Sequence, residues 1–158
     1  MIWDHSQGRQ MSKSLYYENK IVSKIETLSS KYNCSLQLVD KLQANACIIN
    51  YDNKFIIFVS EKLERKLLPL TLLHEFGHIY FKTFRHNPKK YNYFIELLSN
   101  LYAIRKLSFC FPLHKRIVLR LLSIISEEKL YVYYKKHTQI GGNIIYEQIF
   151  KNQWKNDY

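Results

Sequence analysis

Two histidines and a glutamate in "LLHEFGHIYF", Leu72 to Phe81, have the types and spacing to do chemistry. On a helix, positions i and i+4 share a face, so His74 and His78 can each turn a ring nitrogen toward one ion. Glu75 projects beside them at a different angle, where it reaches a water rather than the ion. In such an HExxH arrangement zinc lowers the pKa of a water toward about 7, and the glutamate takes its proton as the water attacks a carbonyl. Gly77 lies in the same turn and lowers helix propensity by about 1 kcal/mol relative to alanine, which implies a close neighbour on that side. A helix whose histidines are merely buried or exposed is the plainer alternative, and the motif alone does not separate the two.

Zinc hydrolases need a third protein ligand. An extended pattern with a third histidine six residues on is excluded, because Phe81 and Phe84 stand where its glycine and histidine would be. The other common solution is a glutamate from a later helix. Glu96 is the only acidic residue between Glu75 and Glu127. Its neighbours Phe94, Ile95, Leu97 and Leu98 make an unpaired carboxylate expensive there, and ligating a cation relieves that expense. Asn100, one turn later, faces the same way and can hydrogen-bond a ligating histidine as an outer partner.

"PLTLLHEFGHIYF" followed by "IELLSNLYAIRKL" resembles the ImmA/IrrE-type metallopeptidases, whose pattern is T-L-A-H-E-x-G-H and then E-x-x-A-N/D-x-x-A. Thr71, Leu72, His74, Glu75, Gly77, His78, Glu96, Asn100 and Ala103 fall in register. Leu73 and Ser99 stand where alanine is usual, and Pro69 where arginine is usual; the ligand set is intact. The resemblance covers roughly residues 15–112. It implies a small zincin-like α+β domain with one Zn2+ held by His74, His78 and Glu96. It also implies a regulatory endopeptidase that cleaves a helix-turn-helix repressor and derepresses a prophage, mobile element or stress genes. In such proteases an edge strand beside the metal pairs with the substrate, and Ile57, Phe58 and Val59 of "FIIFVS" are the candidates, an ordinary core strand being the alternative. A Tyr, His or Arg should reach over the metal to stabilise the oxyanion. His86, in the loop between the two ligand helices, is the candidate, although a loop histidine is usually only solvated.

The elements that must position these groups follow from periodicity. Ile21, Val22, Ile25 and Leu28 recur at helical spacing between Tyr17 and Tyr32, and Asn33 closes that helix. "CSLQLV", "ANACIIN" and "FIIFVS" read as strands, the last two joined across "YDNK", so a small antiparallel sheet is expected between residues 34 and 60. Ser60 can cap the next helix. Pro69 either starts a new helix or kinks this one, and Leu70 to Phe81 is helical in both cases. A second ligand helix runs through "YFIELLSNLYAIRKLSF". "HKRIVLRLLSIISEEKLYVYYKK" reads as one long helix. The expected organisation is a loose tail over 1–14, a single domain over 15–140 in which a short antiparallel sheet packs on a helix bundle, and a C-terminal tail over 141–158, weakly structured or packed on the domain.

The chain has 158 residues, 47% hydrophobic and 23% charged, which suits one globular domain. It has no apolar run of membrane-spanning length and no signal-peptide layout. Its three cysteines, Cys34, Cys47 and Cys110, are odd in number and show no CxxC pair, so a reducing cytoplasm is expected. The net charge of +11 fits solvated basic faces or an acidic or nucleic-acid-bound partner. "LYVYYKK" interleaves aromatics and lysines, yet a helix burying Leu130, Val132 and Tyr133 accounts for it more simply. The competing function is a non-catalytic zincin-fold module that holds a repressor or nucleic acid on its basic surface.

Overall fold

The computed structural model describes residues 2–4, 9–83, 92–151 and 153, with the backbone alone for residues before Ser12. Among them the chain is α+β, with six α-helices and a three-stranded sheet. Helix α1 (Lys13–Lys31) is capped by Ser12, whose Oγ accepts from the Leu15 amide. It buries Ile21, Val22, Ile25 and Leu28, as the periodicity requires, and ends at Asn33 in the left-handed region. Within the stretch before residue 15, two short strands are described. Strands β1 (Ile2–Asp4) and β2 (Arg9–Met11) pair antiparallel, and α1 begins two residues after β2.

Strands β3 (Cys34–Val39), β4 (Ala46–Tyr51) and β5 (Lys54–Ser60) form the sheet in the order β3-β5-β4. β4 and β5 make the expected hairpin, turning through Asp52 and Asn53, both at positive φ. β3 runs parallel to β5, so the sheet is mixed rather than antiparallel. The cause lies in the patterning: "FIIFV" is apolar on both faces, as a central strand must be, whereas β4 ends in exposed Ile49, Asn50 and Tyr51. β5 is therefore the middle strand, and its backbone is engaged on both sides. That corrects the expectation that Ile57, Phe58 and Val59 offer an edge to substrate. Gln153 covers the outer edge of β3: its Oε1 accepts from the Leu38 amide and its Nε2 donates to the Leu36 carbonyl.

Ser60 ends β5, and its Oγ accepts from the Lys62 amide in a turn, so it caps no helix. A single 3₁₀ turn, Arg65–Leu67, leads into α2 (Leu68–Tyr80). Pro69 falls in the first turn of α2, where its missing N–H has no intrahelical role. Leu70, Leu72, Leu73 and Phe76 are fully buried, and every residue from Leu68 to Ile79 is buried: α2 is the helix the rest wraps around. Helix α3 (Tyr93–Leu107) is capped by Asn92, whose Oδ1 accepts from the Phe94 and Ile95 amides.

After a 3₁₀ turn, Ser108–Cys110, the stretch read as one helix is two: α4 (Leu113–Ile125) and α5 (Glu127–His137). Ser126 is extended and caps α5 by accepting from the Lys129 amide, with Glu127 and Glu128 in the first turn. The expected tail after Gly141 contains α6 (Asn143–Phe150), which packs on α1 and buries Ile145 and Phe150 completely. Gly142 has φ +82, and a Cβ there would lie 1.7 Å from the Arg65 carbonyl oxygen, so only glycine fits. No described helix is long and apolar enough to cross a membrane.

Candidate metal centre

Helix α2 carries His74, Glu75 and His78 inside the protein, each less than a tenth exposed. Helix α3 crosses it so closely that a Cβ on Gly77 would lie 2.9 Å from Ser99 Cα. This contact is the neighbour that the glycine implied, and it brings Glu96, one turn before Ser99, over the two histidines. Glu96 Oε2 lies 2.9 Å from His74 Nε2 and Oε1 lies 3.5 Å from His78 Nε2. The two Nε2 atoms are 3.1 Å apart. One ligand atom from each of His74, His78 and Glu96 falls within 4.8 Å of the others, a group that could hold a metal ion.

Partners on the far side of each ring decide which nitrogen faces the group. His74 Nδ1–H donates to Asn100 Oδ1 at 2.7 Å, the contact expected of Asn100. His78 Nδ1–H donates to Thr83 Oγ1 at 2.7 Å, while the Thr83 hydroxyl donates back to the His78 carbonyl. Ser99 Oγ lies 3.2 Å from the same Nδ1. Both rings are thus held with Nε2 toward Glu96, the tautomer a metal ligand needs.

His74 and Glu96 hold each other in their charged forms. Burial alone would depress His74, but the hydrogen bond to Glu96 and the charges of Glu75 and Glu96 raise it to about 9. Burial alone would raise Glu96, but hydrogen bonds to His74 and His78 hold it at about 2. Glu75 behaves differently: burial raises its pKa, only partly offset by the two histidines. A buried carboxylate raised in this way is suited to accepting a proton.

Several residues at the centre escaped the sequence reading. Glu127, the first residue of α5, adds its charge to that of Glu75. Tyr131, one turn on, lies beside Thr71 and within the field of Glu127, Glu75 and Glu96, with its hydroxyl pushed up chiefly by burial. Within "LYVYYKK" the structure buries Leu130 and Tyr134, leaves Tyr133 half-buried and exposes Val132, a different face from the one expected. The Ser126–Glu127–Glu128 capping signature resets the helical phase there, and it was the signal that could have found Tyr131. His86, the oxyanion candidate, lies outside the described residues.

The free sheet edge near the centre belongs to β4. Its Cys47 thiol is raised by burial and then by the charge of Glu75. The Ser60 amide donates to the Asn45 carbonyl, so in the β4–β5 register alternate residues Ala46, Ile48 and Asn50 direct their peptide groups away from β5. Among the described residues no strand pairs with that side. Set against known proteins, the chain matches no family model, no curated protein and no solved structure.

Proposed function

We propose that the chain is a zinc-dependent endopeptidase of zincin-like architecture, similar to the ImmA/IrrE type, acting on a protein segment of a DNA-binding repressor. The observation that carries this reading is the convergence of two Nε2 atoms and one carboxylate beside a buried glutamate. A tetrahedral zinc with bonds of about 2.0–2.1 Å spaces its donors about 3.3 Å apart. The separations of 2.9, 3.1 and 3.5 Å bracket that value, and two nitrogens with one oxygen suit zinc.

When bound, zinc supplies Lewis acidity, polarising a carbonyl and acidifying a water. The chain does the rest. Asn100, Thr83 and Ser99 fix the histidine rings. Glu75 accepts the proton of the attacking water and returns it to the departing amine. The Tyr131 hydroxyl, beside Thr71 and within the field of Glu75 and Glu96, is the described candidate for stabilising the oxyanion. The substrate backbone adds to the outer edge of β4, pairing with Ala46, Ile48 and Asn50.

The test is peptide cleavage by the zinc-loaded protein. A proteome-derived peptide library is scored for new N-termini by mass spectrometry, wild type against Glu75→Gln. New termini with wild type and none with the variant support the peptidase. Identical profiles would sink it in favour of a non-catalytic module.

A further inference from the structure

Away from the metal centre, a cleft of about 350 Å³ opens where the start of α1, the 3₁₀ turn Ser108–Cys110, the start of α4 and the end of α5 meet. Tyr17, Phe109 and Phe111 give it aromatic walls, and Lys13 and Lys115 give it cations. Among the described residues no acidic side chain lines it. His137 and Glu127 close opposite ends of α5, so the cleft lies about 15 Å along that helix from the Glu75 neighbourhood.

The cations continue beyond the cleft. Lys20 and Lys24 place Nζ 4.5 Å and 4.9 Å from the centre of the Phe109 ring, and Tyr17 meets the same ring edge-on at 5.9 Å. Lys106 of α3 joins them over Tyr102, and Lys31 lies over Tyr32. Lys24 is held below the ordinary lysine range by burial and then by Lys106 and Lys20. Lys13, Lys20, Lys24 and Lys31 lie roughly along one side of α1, a ridge of about 27 Å. Among the described residues none of these lysines has a carboxylate within ion-pair distance; the described lysine ion pair is Lys135 with Glu64.

Gathering like charges costs Coulomb energy that a polyanion with spaced charges relieves, and an aromatic cleft takes a flat ring. We infer that this cleft and ridge bind single-stranded nucleic acid, with one base entering the cleft walled by Tyr17, Phe109 and Phe111 and the phosphates following the lysines of α1. Duplex keeps its bases stacked and out of reach of the cleft. A free nucleotide would fill the cleft and leave the ridge unserved.

Fluorescence anisotropy of the full chain with a labelled 15-residue oligothymidylate, from 50 to 300 mM salt, tests this. Lys20→Gln/Lys24→Gln and Lys13→Gln/Lys115→Gln should each weaken binding about tenfold at low salt. Each pair should also flatten the log–log salt slope by roughly 1.4, about 0.7 for each charge lost. Tyr17→Leu should weaken binding with the slope unchanged. Lys62→Gln/Lys66→Gln, which removes the same charge elsewhere, should stay within twofold of wild type. Circular dichroism checks that each variant is folded. No binding at 50 mM salt, equal loss in the Lys62/Lys66 pair, tighter binding of duplex, or displacement by ATP at an affinity equal to the strand's would each overturn the inference.

Discussion

Gly77 and Ser99 touch where α2 crosses α3, with the position of a Gly77 Cβ only 2.9 Å from Ser99 Cα and 3.1 Å from its carbonyl oxygen. Those are backbone atoms and cannot swing aside. The crossing sets the height of Glu96 over His74 and His78, so a small residue on α2 controls a candidate ligand on α3. Gly77→Ala should therefore lower stability by about 1–3 kcal/mol through overpacking, despite its better helix propensity. Zinc affinity should drop with it, and Ser99→Gly should not restore either, because the closest contact is to Cα. Thermal melts with and without zinc check both statements.

Asn100 accepts from His74 Nδ1–H at 2.7 Å. Asn100→Ala removes the acceptor from a position only 1% exposed and should weaken zinc binding by about 10–100-fold. Asn100→Asp keeps the acceptor and adds a charge, so it should retain the metal at least as well. Competition with a chromophoric chelator measures both.

Glu75→Gln should lower kcat by at least about 10²-fold while zinc stays bound, because in the proposed mechanism Glu75 moves a proton and is not a ligand. Tyr131→Phe should lower kcat with little change in zinc content or KM. A change in KM alone would make Tyr131 a packing residue beside Thr71.

The metal-free centre should respond to pH with a definite sign. His74 is raised from 6.5 to about 9, so its contribution is complete below pH 6.5 and is lost as pH rises through 9. Glu96 is lowered from 4.5 to about 2, so its contribution is present above pH 4.5 and is lost as pH falls through 2. Together they give the apo protein its fullest support from this pair between pH 4.5 and 6.5. Zinc must displace the His74 proton, so the gain in melting temperature on adding zinc should be larger at pH 8.5 than at pH 6. An equal gain at the two values would contradict the assignment of His74 as the protonated partner.

Much of the centre was legible because helical spacing is local. His74, Glu75 and His78 follow from one turn of α2, and Glu96 and Asn100 from one turn of α3. Thr83 and Ser99 were not legible as partners of His78, since that depends on how α2 ends and on the α2–α3 crossing. β5 was read as an edge strand, whereas it is central, because strand order depends on which strand tolerates burial on both faces. Chain order suggests nothing of the parallel pairing of β3 with β5. Ser126 carried a readable cap, yet the apolar run on either side of it, "LLSIIS" and "LYVYY", masked the break and with it Tyr131.

The zinc content of the purified chain, wild type beside Glu96→Ala, tests the central claim most directly. One zinc per wild-type chain, lost or greatly weakened in a variant that still folds by circular dichroism, is the predicted result. Equal zinc in both, or none in folded wild type after zinc is offered, would contradict a centre built from His74, His78 and Glu96.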